Sequence, residues 1–489
     1  MLFKRMTIGF LLALILAGAL GLAAGGGLAG RGWPAAWAAA PSPSALEAAT
    51  VSQLGALEAA LRAQLQGRAA GDQGVRMALI KLSMWGPLAD VTGWFLAALG
   101  DSRTARRAFA WLMPFIKWMC EPFLLVVDND DDELETAAEI DKIFAFVARE
   151  KAKGLLVSLD NVGDASLSPE DARQYRAYYL DLIRRFTAGQ ASVNDLNVSL
   201  KLSALVHDLD AALDGQGRSA RAQAKRAEIA AALVELLRAA AAPGKKVFIR
   251  IDMEEYAYKD MTLALFRQVV EQNRALALDG QGDLRLGVVI QAYLRDAAPD
   301  VAALATWARA HGFRAPIRLV KGAYLEHERA LAAGQGLAKS PVWNNKPSTD
   351  ANYEALAEVM LRRADAIKPA FGTHNLRTIA RVMAVADALG LERHAYELQM
   401  LHGMGDPIKR VVVDAGRLMR EYVPAGTLAR GLKYAGRRFA ELAGGQNALA
   451  RSMRGDFSVF AGAPAFEGEQ DIIDGRATLA LLAQTRAGH

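Results

Sequence analysis

The chain has 489 residues, 52% of them hydrophobic and 23% charged, which is ample apolar content for a large packed core. Lys and Arg exceed Asp and Glu by only 58 − 53 = 5 and form no long basic block, so a nucleic-acid partner is not expected. Cys120 is the only cysteine and the seven histidines form no i, i+4 pair, which excludes an internal disulfide framework, a CxxC redox pair and a helix-borne zinc site. Redox chemistry would therefore need a bound organic cofactor, with no metal.

Lys4 and Arg5 precede an apolar run from Met6 to Ala24, close to the roughly 20 residues that span a bilayer. Residues 1–44 read as a signal peptide or membrane anchor, with Ala36-Trp37-Ala38 as a small-residue cleavage site; an overlong start with Met77 as the true first residue is the competing reading. Gly25, Gly27 and Gly30 match GxGxxG, but no strand precedes them, so they do not mark a dinucleotide fold.

Residues 45–149 read as a helical arm: a polar, Ala-rich helix over 45–75, then apolar helical segments including Met77–Leu99 and Thr104–Val127. Trp85, Trp94, Trp111 and Trp118 fall in the latter stretch. Such aromatic helices either lie in a membrane interface or, the favoured reading, bury on a neighbouring domain. The run Asp128 to Glu133 lacks the glycine and distal glutamate of a calcium loop and reads as an acidic helix start.

From residue 150 to 450, short β-type runs alternate with longer helical stretches. The runs are Leu155–Leu159, Val198–Leu202, Val247–Ile251, Val288–Ala292, Ile317–Val320, Ala370–Thr373, Ala395–Gln399 and Glu421–Val423. Eight strand–helix units predict an α/β fold, a (β/α)8 TIM-like barrel preceded by the helical arm and followed by a C-terminal tail over 451–489.

Barrel chemistry sits at the C-terminal ends of strands. There the sequence places Lys201 with Ser203; Asp252, Glu254 and Glu255; Gln291 and Tyr293; Arg318, Lys321 and Tyr324; Thr373, His374 and Asn375; Gln399 and His402; and Tyr422. Tyr434, Arg437, Arg438 and Glu441 follow at i, i+3, i+4, i+7, one helix face too polar for packing but suited to clamping a carboxylate. A buried Lys201 or Lys321 is equally compatible with a Schiff-base nucleophile. No Ser-His-Asp arrangement, metal cluster or paired acid and base is evident. Cationic, amide and hydroxyl donors dominate, as suits an anionic cofactor and a small carboxylate substrate.

These strings, in order, resemble the proline dehydrogenase family: Lys201-Leu-Ser-Ala-Leu205, Ile251-Asp-Met-Glu-Glu255, Gln291-Ala-Tyr293, Arg318-Leu-Val-Lys-Gly-Ala-Tyr324, Thr373-His-Asn375, Gln399-Met-Leu-His-Gly403 and Arg437-Arg438. The resemblance implies an FAD enzyme that oxidises L-proline to 1-pyrroline-5-carboxylate, with hydride passing from proline C5 to flavin N5 and electrons passing on to a membrane quinone. It implies that Lys201, Arg437 and Arg438 bind the proline carboxylate. Ala323, Tyr324, Leu401, Tyr422 and Tyr434 would wall the ring, and Asp252 would support the constellation. Gln291, Arg318, Val320, Lys321, Gly322, Ala323, Thr373, His374, Asn375, Gln399 and Glu441 would contact FAD.

Two positions depart from the family. Asp164 stands where a glutamate pairs with the first arginine to close the site, and Asn344 stands where a threonine is common, on the adenine side. No aldehyde dehydrogenase segment follows residue 450, so a monofunctional enzyme is expected. Association with a bacterial-type inner membrane follows from the quinone and the apolar start. The cytoplasmic face is expected on functional grounds, although Lys4 and Arg5 would by the positive-inside rule put the barrel across the membrane. A Schiff-base aldolase and a non-catalytic, membrane-anchored binding barrel are the alternatives.

Overall fold

A computed structural model of the chain describes residues 41–66, 117–118, 120–126, 137–163, 165–189, 193–427, 431, 434–438, 441, 448–453, 455–460 and 462–487. The apolar run 6–24, the glycine motif 25–30, the segment 77–99, most of 104–127, the acidic run 128–133 and Asp164 lie outside the described residues.

Eight parallel strands follow one another: β1 (Leu155–Asn161), β2 (Asp195–Leu200), β3 (Lys246–Ile251), β4 (Leu286–Gln291), β5 (Ala315–Val320), β6 (Ile367–Gly372), β7 (Glu397–Leu401) and β8 (Met419–Gly426). Each pairs with the next, and β8 pairs with β1 from Leu155↔Met419 to Asn161↔Ala425, so the barrel is closed. Side chains alternate across each strand. Leu159, Val198, Ile249, Val288, Ile317 and Leu398 are buried in the hydrophobic core. The residues between them turn inward, and several are polar: Ser158 meets Ser199 at 3.2 Å, and Arg420 forks onto Glu397 at 3.0 Å.

The expected barrel is thus present, with shifted bounds. The second strand stops at Leu200 rather than Leu202, because the chain turns at Lys201 into a short helix, Leu202–Leu205. The seventh runs Glu397–Leu401 rather than 395–399, which keeps Glu397 and Gln399 on the inward parity, and the eighth is longer than expected. Within the segment expected to be helical up to Val127, Leu125–Val126 is instead a strand, pairing with Ala425 and Gly426 and extending the end of β8.

The surrounding helices are α1 (Pro43–Gln66), α2 (Ala137–Ala152), α3 (Pro169–Thr187), α4 (Ala220–Ala240), α5 (Tyr256–Gln272), α6 (Ala297–His311), α7 (Leu325–Gly334), α8 (Lys346–Arg362), α9 (Leu376–Ala388), α10 (Asp406–Asp414) and α11 (Glu469–Arg486). Their starts are written in the sequence. Ser168 and Asp171 form a capping box before Pro169. Asn345 and Asn375 cap α8 and α9 through their side-chain oxygens. The arm helix α1 buries Leu46, Leu54, Leu57 and Leu61 and packs on α9 and α10, where Arg377 pairs with Glu47. The C-terminal tail is not loose: α11 packs on α8 and α6, with fully buried Asp471 paired to Arg295 at 2.8 Å.

Among the described residues, no helix is long and apolar enough to cross a membrane.

Candidate active site

The C-terminal mouth of the barrel gathers most of the singled-out residues. At its centre Lys201 Nζ lies 3.0 Å from the buried carboxylate of Asp160, at the end of β1. Burial opposes a charge on Lys201, but the Asp160 carboxylate outweighs it and holds the amine protonated, above the ordinary lysine range. A helix beneath pins this pair. Tyr179 on α3 accepts from the Asn161 N–H at 2.9 Å and donates to the Ser199 carbonyl at 2.6 Å, tying the ends of β1 and β2 together. Tyr175, one turn earlier, accepts from the Lys201 N–H at 3.3 Å.

Asp252, just past β3, ties two further strands to this centre. It accepts from the Arg318 guanidinium on β5 and from the Tyr422 hydroxyl on β8 at 2.9 Å. Arg318 also donates to Ser199 Oγ and Gln399 Oε1, each at 3.3 Å, and its Cζ stands 5.3 Å from the Tyr422 ring centroid. Burial and the nearby carboxylates push the Tyr422 hydroxyl well above its ordinary range, so it remains a donor.

Around the rim, the Gln291 amide donates to the Glu254 carbonyl at 2.9 Å, and the Glu254 carboxylate accepts from the Ser203 N–H at 3.0 Å. Lys321 pairs with Asp350 on α8; burial lowers its pKa and Asp350 partly offsets that. Gly322 adopts φ +128, and a Cβ there would stand 2.4 Å from the Tyr293 ring, so only glycine fits where the chain leaves β5. Val320 abuts the backbone of Gly372, and Tyr324 starts α7.

On β6, Thr373 Oγ1 accepts from the Asn375 N–H at 3.1 Å, and the Asn375 side chain is committed to capping α9. His374 Nε2 accepts from the Leu401 N–H at 3.0 Å, which fixes the neutral tautomer with its proton on Nδ1. Burial, with Lys409, Arg438 and Lys321 nearby, lowers its pKa to about 3. His402, by contrast, does not join this group: it pairs with Glu421 at 2.9 Å and edges onto Phe146, outside the barrel interior. Gly403 is needed where the chain approaches the arm, since a Cβ there would meet the Pro122 carbonyl at 1.7 Å.

Residues 434–438 are helical. Arg438 is buried, 2.8 Å from Glu441, with its Cζ 5.1 Å from the Tyr434 ring centroid. Burial pushes the Tyr434 hydroxyl above its ordinary range, and the charges of Arg438, Asp160, Glu441 and Lys201 are near enough to act on it, which places this helix over the barrel centre. Arg437 is exposed and donates to the Ala323 carbonyl at 2.9 Å. Tyr434, Arg437, Arg438 and Glu441 thus share one face as their spacing predicts, with Arg437 Nε 3.7 Å from Glu441 while its Nη2 reaches the β5 loop.

The arrangement leaves buried donors without partners: Arg318 Nε, Arg438 Nε and the hydroxyl of Tyr434. Unpaired buried polar groups are uncommon and ask for a ligand or water. Together with the Nδ1–H of His374 and the glycine cradle at Gly322, they fit an anionic organic cofactor and a small carboxylate. Sequence reasoning passed over Asp160, Tyr175, Tyr179, Glu397 and Asp350. The only signals were the inward parity Asp160 shares with Ser158 and the i, i+4 tyrosine pair. A protonated Lys201 leaves Lys321 as the amine that a Schiff-base reading would use.

The family model for proline dehydrogenase matches residues 145–451. The chain belongs to the proline dehydrogenase family. It is 31% identical over 321 residues to the bifunctional protein PutA of Klebsiella aerogenes, covering 63% of this chain and 23% of that protein. Proline dehydrogenase 1 of Bacillus subtilis is 27% identical over 283 residues, covering 58% of this chain and 77% of that one. Among solved structures, proline utilization A of Bdellovibrio bacteriovorus, inactivated by N-propargylglycine, superposes with a TM-score of 0.68 at 25% identity, over 86% of this chain and 45% of that one. The chain therefore spans less than a quarter of the length of the bifunctional relative and most of the length of the proline dehydrogenase from Bacillus subtilis.

Proposed function

We propose that this protein oxidises L-proline to 1-pyrroline-5-carboxylate. The observation that carries the reading is the buried Arg438, stacked on Tyr434 with an unpaired Nε, on a helix near the protonated Lys201. Three cations and a ring-sized wall suit a small cyclic amino acid: Arg437, Arg438 and Lys201 receive its carboxylate, and Ala323, Tyr324, Leu401, Tyr422 and Tyr434 enclose its ring.

When bound, FAD supplies the acceptor for the hydride leaving proline C5. Gln291, Arg318, Val320, Lys321, Gly322, Ala323, Thr373, His374, Asn375, Gln399 and Glu441 would hold it. His374, fixed as the neutral tautomer, offers Nδ1–H as a donor without adding charge. Proline must lose its amine proton as the hydride departs. Tyr422 keeps its own proton and Lys201 is already charged, so neither serves as the base; water or another hydroxyl-bearing neighbour is the proposed acceptor. The chain's own contribution is orientation, worth up to about 7–11 kcal/mol in well-aligned systems.

The reading extends to a membrane quinone as electron acceptor and to association with the inner membrane, the barrel on the cytoplasmic face; the apolar run 6–24 motivates this. Asp164 is the proposed partner that closes the site over Arg437. Steady-state assay of the purified protein with L-proline, a quinone analogue and o-aminobenzaldehyde, which traps the pyrroline product, tests the reading. Proline-dependent trapped product is expected; its absence from FAD-supplemented protein overturns it. A Schiff-base aldolase would instead be inactivated by borohydride in the presence of a carbonyl substrate, and a binding barrel would bind proline without turnover.

A further inference from the structure

The opposite, N-terminal mouth of the barrel encloses a cavity of about 240 Å³, walled by Asn197, Phe248, Arg250, Arg285, Glu397 and Arg420 among others. Three arginines line the barrel interior from this mouth upward. Two have carboxylates of their own: Asp252 binds Arg318, and Glu397 receives Arg420 in a two-pronged contact at 3.0 Å. Arg250 has none. It is 3% exposed, its Nη1 reaches only the Val288 carbonyl at 3.4 Å, its Nε has no partner, and its Cζ stands 4.8 Å from the Phe248 ring centroid.

Two more unpaired atoms sit on the same wall, Arg285 Nε and Asn197 Oδ1, each on a residue that is 8% exposed. Arg314 and Lys368, also at this mouth, both bind Asp283.

A buried guanidinium with no carboxylate bonded to it costs several kcal/mol, and Glu397, already committed to Arg420, offsets that only in part. Water relieves part of it, but water does not neutralise. Independently of the proline reading, we infer that this cavity is a binding site for a small monocarboxylate, whose oxygens pair with Arg250 and Arg285 while its short carbon chain lies against Phe248. The size admits an anion of a few heavy atoms and not a nucleotide. Burial, with Arg318 and Arg420 alongside and Glu397 opposing them, draws Arg250 down to about 9, and a bound carboxylate reverses that pull. The site lies one layer below the Arg318–Asp252 pair, on the far side of the barrel interior from the proposed proline site.

The test is thermal melting of the FAD-loaded protein against sodium acetate, at ionic strength held constant with a bulky sulfonate. Because acetate also suits the proposed proline clamp, R438Q serves as the control. A saturable rise of about 1–3 °C that survives R438Q and vanishes in R250Q and R285Q supports the site. Should R250Q not fold, R285Q decides. A rise that is lost in R438Q and kept in R285Q, or one that does not saturate, overturns the inference. A larger saturable rise with phosphate than with acetate overturns the assignment to a carboxylate.

Discussion

Arg438 and Arg437 are adjacent in sequence and unlike in surroundings. Arg438 is buried on Tyr434, whereas Arg437 is exposed and tethered to the Ala323 carbonyl. Loss of charge-assisted hydrogen bonds from the buried fork costs about 1.5–3 kcal/mol. Arg438→Ala is therefore expected to raise KM for L-proline tenfold to about a hundredfold with a smaller change in kcat, read by steady-state kinetics. His374 supplies a prediction about pH. Its folded pKa, about 3, lies below the ordinary 6.5, so the unfolded chain takes up a proton first as pH falls. The stability it contributes is present above pH 6.5 and is lost as pH drops towards 3. His374→Asn should therefore flatten the fall of Tm between pH 6.5 and 4.5; an unchanged slope contradicts the assignment.

Residues visible from spacing alone were those whose partners lie on the same helix, such as Tyr434, Arg438 and Glu441. Asp160 and Asp350 were not visible, because each acquires meaning only from a partner that the barrel brings from far along the chain: Lys201 for one, Lys321 for the other.

Elements were legible where local chemistry marks them. The apolar runs fall on the strands, and the structure shows that the helix starts carry local marks too, the Ser168–Asp171 box and the Asn345 and Asn375 caps. Strand ends were less legible: β2 and β7 each moved by two residues, since inward-facing Glu397, Gln399, Ser199 and Arg420 are polar and break the apolar signal used to find a strand. The last helix is the clearest departure. A tail in sequence, α11 is bound to the barrel by Asp471, which pairs with Arg295 at 2.8 Å and accepts from the Asn344 N–H at 2.9 Å, and by Arg486, which reaches Glu358 at 2.7 Å. Arg295 keeps Asp474 as a second partner, so removing one carboxylate is milder than orphaning the cation outright. Asp471→Ala is expected to destabilise by on the order of 2–4 kcal/mol, measured as a lower denaturation midpoint with an unaltered m-value. Asn344, the departure from the family pattern, contributes here through its backbone N–H, which any residue but proline supplies.

For the molecule as a whole, eight-fold alternation of strand and helix is a long-range signal that survives errors at every boundary, and the closed register from β8 back to β1 follows from it. The same barrel presents two mouths of different character. The C-terminal one gathers Lys201, Asp252, Arg318 and Tyr422, to which Arg438 is joined through Tyr434, and it carries the proposed chemistry. The N-terminal one holds an arginine, Arg250, with no carboxylate bonded to it. The account stands most directly on an anaerobic titration of the purified protein with L-proline, followed by visible absorption. It predicts a flavin band near about 450 nm that L-proline bleaches in a saturable way. A colourless protein that FAD does not restore, or a flavin band that L-proline leaves intact, would contradict it.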